Sequence, residues 1–262
     1  MSDDAPGVAM NVPDTRLTDR TVIVTGAGSG IGRATAIAFA NAGAHVLGVG
    51  RREASLLQTA SEHPAVATFV ADVCADGAPE AVIEEAARRW GRVDVLVNNA
   101  GAAAIAPLGE VTGARITELF ALNVTAPSLL ARAALPYLRE VHGSIINVSS
   151  TFGHKPLPGG SHYAASKSAI ESLTRSWALE LAADNVRVNA VAPGPTESEA
   201  LAAAGLPEEV VEKIKRDEAE QIPLGRRGKP EEVADWIVHL ADPASTWLTG
   251  QILTVDGGLE LT

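Results

Sequence analysis

The sequence predicts a single α/β domain in which a mainly parallel sheet of seven strands is flanked by helices. Two observations lead to this prediction. Segments rich in β-branched residues alternate with helical patterns along most of the chain, and these segments are apolar throughout instead of at every second residue. Such strands are typical of a parallel sheet that helices cover on both faces. Since crossovers between parallel strands are right-handed, the expected topology is a doubly wound, Rossmann-type fold.

Each predicted element has a local signal. Strands are predicted at Thr21–Thr25, His45–Val49, Val66–Ala71, Val93–Val97, Ser144–Val148, Val186–Val191 and Ile252–Val255. Helices are predicted at Ile31–Ala42, which Gly43 closes, and over the longer stretches 112–138 and 161–183. Residues 1–18 are rich in polar side chains and proline, so we expect a flexible arm ahead of a domain that spans 19–262. The stretch 194–222 has no strand signal and is predicted to be a helical insertion that acts as a substrate lid.

Composition excludes several classes of protein. An apolar share of 46% excludes general disorder, and no apolar run reaches the roughly 18 residues that span a bilayer. A net charge of −11 disfavours nucleic acid and membrane partners, and the pairs Arg88-Arg89 and Arg226-Arg227 are interpreted as solvated surface pairs. The lone cysteine, Cys74, fits a reducing compartment, and the acidic start lacks the basic region of a secretory signal. We therefore expect a cytoplasmic protein.

A glycine-rich turn lies between the first predicted strand and the first predicted helix. The run from Thr25 to Gly32 satisfies T-G-x-x-x-G-x-G, but it lacks the last glycine of the common G-x-G-x-x-G pattern. In this place, backbone N–H groups and a helix N-terminus bind pyrophosphate, and glycine leaves room for the phosphate to approach. The turn therefore predicts dinucleotide binding, and a merely tight turn is the alternative.

Further motifs follow in a fixed order along the chain. They are Asn98-Asn99-Ala100-Gly101, Asn123, Ser150, the pair Tyr163 and Lys167, Pro193-Gly194-Pro195-Thr196, and Val255-Asp256-Gly257-Gly258. Ser150 precedes Tyr163 by thirteen residues, and Lys167 follows Tyr163 by four. Together with the glycine turn, this series resembles the short-chain dehydrogenase/reductase family over roughly residues 18–260.

The Tyr163/Lys167 pair is the predicted chemical centre. A spacing of four places both side chains on one helical face, and a nearby ammonium is expected to lower the phenol pKa from its usual value near 10. The resemblance implies that Tyr163 is the general acid/base, that Lys167 supports it and binds the nicotinamide ribose, and that Ser150 steadies the substrate oxygen. It implies that Asn123 holds a proton-relaying water, although a buried amide satisfied by backbone is the alternative. Ser149 is expected to pack against the sheet. No G-x-S-x-G elbow surrounds either serine, which disfavours a serine hydrolase.

The resemblance also implies a set of cofactor-binding residues. They are Gly26, Ser29, Gly30, Ile31, Gly32, Arg51, Asp72, Val73, Asn99, Ala100, Gly101, Tyr163, Lys167, Pro193, Gly194 and Thr196. Gly50 occupies the position where NAD-specific sites carry an acidic residue, and Arg51 follows it. NADP(H) is therefore the predicted cofactor, with NAD(H) possible, because Glu53 is close and Ser29 replaces a basic residue found in many NADP-binding relatives.

The substrate pocket is predicted to be apolar. Its expected lining includes Ala102, Ala103, Ala104, Phe152, Leu157 and Leu201, with His162 packed or at its edge. A neutral carbonyl compound or secondary alcohol is the expected substrate, with no metal, because no His/Cys cluster surrounds His154 and His162.

Two alternatives and an assembly state complete the predictions. A 3-oxoacyl thioester on an acyl carrier protein is the alternative substrate, although Val141 and Asp184 stand where such reductases carry basic residues. A noncatalytic cofactor-sensing or scaffold protein on the same fold is the alternative outside enzymes. The resemblance implies a homotetramer, with Ile170, Leu173, Trp177, Leu181, Trp247 and Leu248 as candidate contact residues.

Overall fold

The computed structural model describes residues 16–103, 105–198 and 207–262. Seven parallel strands form a sheet in the order β3-β2-β1-β4-β5-β6-β7. The strand order reverses between β1 and β4, which lie side by side although two strands separate them in sequence. In open α/β sheets, ligands bind at the carboxyl ends of the strands beside such a switch point. The predicted fold class is confirmed.

The elements have the following bounds. The strands are β1 (Thr21–Thr25), β2 (His45–Gly50), β3 (Val66–Val70), β4 (Val95–Asn98), β5 (Ser144–Val148), β6 (Arg187–Pro193) and β7 (Ile252–Val255). The helices are α1 (Gly30–Asn41), α2 (Glu53–Glu62), α3 (Ala78–Trp90), α4 (Gly113–Phe120), α5 (Ala126–Val141), α6 (Ser161–Leu181), α7 (Glu208–Gln221) and α8 (Pro230–Ala241). A π-helical turn, Ala121–Thr125, joins α4 to α5, so the predicted helix 112–138 is interrupted where Asn123 lies.

The core lies on both faces of the sheet, which explains why the strands are apolar throughout. Within β1, Val22 and Val24 pack on one face against α1 and α8, and Ile23 packs on the other face against α3 and α5. Burying an aromatic or large aliphatic side chain such as the fully buried Phe39 of α1 stabilises the fold by about 1.5–3 kcal/mol.

Asn98 ties the central strands together. Its amide donates to Asn147 Oδ1 of β5 at 2.9 Å, and the Asn147 amide donates to Thr174 Oγ1 of α6 at 2.9 Å. Both amide NH2 groups thereby find acceptors inside the core, where an unpaired donor would be costly. The chain of bonds fixes α6 against β5, and both elements carry residues of the candidate site.

Two segments differ from simple expectation. Leu17, which the sequence assigns to the arm, is buried, and its N–H donates to Ala42 O at 3.0 Å. The folded body therefore begins before residue 19, and residues 1–15 lie outside the described part.

Among the described residues, the stretch Gly113–Val141 is long and apolar enough to cross a membrane, with a mean hydropathy of 1.2. Its apolar side chains, such as Leu130 and Leu138, are buried in the core.

Candidate active site

A cleft of about 840 Å³ opens at the carboxyl ends of the strands. Every residue predicted to bind the cofactor lines it, together with Ser150 and the predicted pocket residues Ala102, Ala103, Phe152 and Leu157. Ala104 and Leu201 lie outside the described residues. The sheet therefore brings together side chains from both halves of the sequence at one edge, beside the switch point.

The glycine turn has the shape that a dinucleotide phosphate requires. Gly26 and Gly30 have φ of +70° and +52°, a region that side chains disfavour. A Cβ on Gly32 would lie 2.2 Å from Gly26 O and 2.4 Å from Asn99 Nδ2, so only glycine fits there. Ser29 precedes α1 without capping it through its side chain. The first N–H groups of α1 point out of the helix toward the cleft, and this cradle fits a pyrophosphate.

The catalytic candidates converge from β5 and α6. Ser150 follows β5 and is buried, and its hydroxyl accepts a bond from Phe152 N at 3.3 Å. This hydroxyl also lies near enough to the Tyr163 phenol to favour the phenolate. Lys167 is buried one helical turn beyond Tyr163, with Nζ 5.9 Å from the centre of the phenol ring. Its Nζ donates to Val148 O of β5 at 2.8 Å. The hydroxyl, phenol and amine thus lie together in the cleft.

The protonation behaviour of this group differs from the prediction. Burial raises the pKa of Tyr163, and the neighbouring Ser150 hydroxyl only partly opposes that rise. Burial also lowers the pKa of Lys167 to about 8, although Glu171 opposes the fall. The prediction that the lysine lowers the phenol pKa is therefore wrong for this state, because burial acts on both groups. At neutral pH the phenol is protonated and able to donate.

Asn123 lies in the π-helical turn, beside the lysine. Its Oδ1 accepts from Ala102 N, and its Nδ2 donates to Ala102 O and to Ser166 Oγ, all at 3.0 Å. A Cβ on Gly101 would lie 3.2 Å from Asn123 Oδ1 and 3.4 Å from Lys167 Nζ. The amide is therefore satisfied by protein groups, as the simpler alternative requires, and it also stands close to the lysine amine.

Two basic side chains stand at the end of β2. Arg51 is 74% exposed and lies 3.9 Å from Asp72 Oδ2, and Arg52 and Ser55 line the same wall. Glu53 begins α2, as expected, and it is not among the described residues that line the cleft. The end of β2 is therefore basic on the cleft side. Asp72 also accepts a bond from Cys74 N at 3.0 Å, and this bond orients its half-exposed carboxylate.

The loop after β6 closes the other side of the cleft. The Thr196 hydroxyl donates to Gly194 O at 2.9 Å, and Ser198, two residues further on, lies beside the glycine turn. A Cβ on Gly194 would lie 2.7 Å from Asp256 Cβ, so the Pro193-Gly194 and Asp256-Gly257 motifs pack directly together. Asp256 also accepts a bond from Thr151 Oγ1 at 3.0 Å.

Sequence reasoning missed several residues of the cleft. They are Arg52, Ser55, Ile105, Ser198, Glu218, Gln221 and Leu259. Ser198 and Gln221 fall within the predicted lid, 194–222, so that prediction could have identified them as cleft residues. Leu259 offered none, since its contact depends on how the C-terminal segment folds back. His162 lies outside the cleft lining, where it borders a small pocket with Val111 and Leu119, and His154 contacts two carboxylates described below.

Comparisons with known proteins agree with this geometry. Residues 26–260 match the family model described as enoyl-(acyl carrier protein) reductase. The chain is 39% identical over 251 residues to the 3-oxoacyl-[acyl-carrier-protein] reductase FabG of Thermotoga maritima, covering 94% of this chain and 100% of the relative. It is 38% identical to the L-xylulose reductase of Mesocricetus auratus, covering 95% and 100%. A short-chain dehydrogenase/reductase of unknown function from Caenorhabditis elegans, solved with cofactor, superimposes with a TM-score of 0.88 at 36% identity, covering 94% and 97%.

The chain belongs to the short-chain dehydrogenase/reductase family. It is an NAD(P)(H)-dependent oxidoreductase that acts on carbonyl or alcohol groups, as the reductases and dehydrogenases that it resembles do.

Proposed function

We propose that Tyr163 is the general acid/base of this oxidoreductase, with Ser150, Lys167 and Asn123 as its partners. The observation that carries the proposal is that Ser150, Tyr163 and Lys167 line one cleft, with the Lys167 amine buried and 5.9 Å from the centre of the phenol ring. Unrelated surface residues would not bring a phenol beside a buried amine. A noncatalytic sensor on this fold would not require these groups together.

Each residue has a distinct chemical task. A bound nicotinamide supplies or accepts the hydride. Tyr163 gives its proton to the substrate oxygen during reduction and removes it during oxidation. Ser150 donates a hydrogen bond to the same oxygen and stabilises the charge that develops there. Lys167, whose pKa is about 8, is proposed to support the phenol and to bind the nicotinamide ribose, and Asn123 is proposed to hold a water that relays protons to the lysine.

NADP(H) is the proposed preferred cofactor. The glycine turn is proposed to hold the pyrophosphate, Asp72 and Val73 the adenine, and Thr196 the nicotinamide carboxamide. Arg51 lies exposed at the end of β2, where a guanidinium can pair with a 2′-phosphate. The absence of Glu53 from the described cleft lining supports the preference. The ratio of kcat/KM for NADPH to that for NADH tests it, and a tenfold preference for NADH would overturn it.

A neutral carbonyl compound or secondary alcohol is the proposed substrate. Ala102, Ala103, Phe152 and Leu157 supply an apolar lining next to the catalytic group. The second candidate is a 3-oxoacyl thioester, which the FabG relative favours. Val141 and Asp184 argue against the binding of an acidic carrier protein, because neither side chain is basic. The Asp184 carboxylate also accepts a bond from Arg139 at 2.7 Å.

One assay separates these candidates. The protein is incubated with NADPH or NADH and a panel of ketones, aldehydes and acetoacetyl thioesters, free and carrier-bound, and the absorbance of the reduced nicotinamide is followed. The Tyr163→Phe variant is the matched blank. We expect turnover of neutral carbonyls above the blank. Cofactor binding without turnover of any compound would favour the noncatalytic alternative, and turnover of carrier-bound thioesters alone would favour the second candidate.

A cytoplasmic homotetramer is the proposed assembly. Ile170 and Leu181 are buried in the core, so they are not contact residues, whereas Trp247 is 98% exposed. Trp247 and the adjacent Leu248, which is 37% exposed, form an apolar patch in water, and such a patch is typical of a contact surface. Light scattering at micromolar concentration tests the assembly, and a monomeric mass would contradict it.

A further inference from the structure

A buried guanidinium lies outside the catalytic group. The sequence places Arg226 and Arg227 together as a surface pair, and this is correct only for Arg226. The Arg227 side chain is 7% exposed, and that of Arg226 is 53% exposed. Desolvating an arginine is costly unless it is fully paired, so the burial of Arg227 requires partners.

Three partners from two separate segments surround the Arg227 guanidinium. Nη2 donates to the Thr196 carbonyl at 2.6 Å, and Nε lies 3.1 Å from Glu197 Oε1, both in the loop after β6. Nη1 donates to the Glu218 carboxylate, which belongs to α7. Thr196, Glu197 and Glu218 all line the cleft, so the guanidinium connects the loop after β6 with α7 at the edge of the cleft.

A second ion pair crosses the first. Lys215 of α7 lies 3.2 Å from Glu197 Oε2. The cluster therefore has two cations, Arg227 and Lys215, and two anions, Glu197 and Glu218. The backbone fixes the base of this cluster. Gly228 N donates to Pro195 O at 3.0 Å, and Glu197 N donates to Gly228 O at 2.9 Å. Arg227 is therefore anchored to the loop after β6, and α7 is held to that loop by side chains.

The cluster explains why an arginine is present instead of an apolar residue. A planar guanidinium donates to two acceptors and pairs with a third, anionic group at once, which an ammonium does less well. Without it, the Glu218 and Glu197 carboxylates would face each other at the cleft with one cation between them. Burial and the nearby Glu197 charge already raise the pKa of Glu218 against the opposing effect of Arg227. Removing the guanidinium would push α7 away from the loop.

We propose that Arg227 is a positioning residue that holds α7 against the Thr196–Glu197 wall and so sets the width of the cleft. The proposal rests on the proposed function of the cleft. It assigns no chemical step to Arg227, which acts through Thr196, Glu197 and Glu218.

Limited trypsin digestion tests the contact without any activity. Lys213, Lys215 and Arg216 are the trypsin sites within α7. Arg227→Met is compared with wild type and with Arg226→Met, an adjacent arginine that is paired with Glu232 on the surface. We expect cleavage in α7 about tenfold faster in Arg227→Met only. Equal cleavage rates in all three proteins would overturn the proposal.

Ligand affinity and kinetics test the consequence for the cleft. We expect Arg227→Met to raise the Kd for NADPH, or the KM for a carbonyl from the panel, about tenfold, with kcat within about twofold. Arg227→Lys should recover part of the loss. A fall in kcat with unchanged KM and Kd would contradict a positioning role. If no panel compound is turned over, digestion and NADPH affinity still decide the proposal, so its failure is distinct from that of the proposed function.

A second variant covers the case in which Arg227→Met does not fold. Glu218→Gln keeps the guanidinium and its contacts with the loop after β6, but it weakens the bond to α7. We expect faster cleavage in α7 with an unchanged Tm. In the double variant, Glu218→Gln should add little to Arg227→Met, because both remove one interaction. Full additivity of the two effects would overturn the proposed pairing.

Discussion

The two walls of the cleft are built by different means. The wall at the ends of β1 and β4 is formed by backbone and missing side chains, with Gly26, Gly32 and Ala100 leaving space beside the N-terminus of α1. The wall at the end of β5 is formed by polar side chains, namely the buried Ser150 and Lys167 and the half-buried Tyr163. Substitutions that add side-chain volume should therefore impair the first wall. Substitutions that remove a proton-donating group should impair the second. Each prediction below tests one side of this contrast.

The largest effect is expected at the second wall. Tyr163→Phe removes the phenolic proton with almost no change in volume, so we expect kcat to fall by about 10²–10⁴-fold, the range of a lost general acid. The Tm and the Kd for NADPH should stay near their wild-type values. Steady-state kinetics and a binding titration check this. Retention of a tenth of wild-type activity would exclude Tyr163 as the acid/base.

The first wall should be most sensitive at Gly32. A Cβ there meets Gly26 O at 2.2 Å, and backbone atoms cannot rotate away. Gly32→Ala should cost about 1–3 kcal/mol of overpacking, which corresponds to a loss of NADPH affinity of up to about a hundredfold if the strain falls on the bound state. Gly113→Ala is the control, because its Cβ would meet no atom within 4 Å. Similar NADPH affinities in both variants would refute the volume argument.

Charge at the edge of the first wall should give a smaller effect. Arg51→Asp replaces a charge-assisted bond to a 2′-phosphate by repulsion, so the preference for NADPH over NADH should fall by about tenfold or more. Exposure of Arg51 keeps the expected change near the lower end. Arg132→Asp, on α5 and paired with Glu80, controls for the change in net charge. The measurement is the ratio of kcat/KM for NADPH to that for NADH in each variant. An unchanged ratio in Arg51→Asp would mean that Arg51 does not bind the 2′-phosphate.

Sequence and structure agree where the signal is local. The strand segments, the glycine turn and the Ser150, Tyr163 and Lys167 spacing could all be predicted, because each depends on residues near one another or on fixed family spacings. Three features could not. The burial of Arg227 depends on partners 9 and 31 residues away, and the bond from His154 to Glu260 spans 106 residues. The pKa of Tyr163 depends on burial, which a spacing of four residues does not report.

A titrating group beside the second wall, but outside the cleft lining, links α6 to the C-terminal segment. His154 Nδ1 lies 3.1 Å from Glu171 Oε1 of α6, and Nε2 lies 2.7 Å from Glu260 Oε2. Glu171 also accepts a bond from Ser149 Oγ at 2.8 Å, and Thr254 Oγ1 donates to Glu260 at 2.9 Å. Only a protonated imidazole donates to both carboxylates at once.

The smallest predicted effect is the pH dependence of this contact. Burial alone would lower the pKa of His154, but Glu171 and Glu260 outweigh it and the net pKa is raised above 6.5. Because the folded pKa is the higher one, the contact stabilises the fold fully below about pH 6.5 and is lost as the pH rises through the folded value. One imidazole about a third exposed should contribute under ~1 kcal/mol, or roughly 2–4 °C in Tm for a domain of this size. Thermal melts of wild type and His154→Gln from pH 6 to pH 9 check this, and the difference in Tm between them should shrink with rising pH. A difference that stays constant or grows would show that the imidazole is neutral in the folded protein and that the second wall draws no stability from this proton.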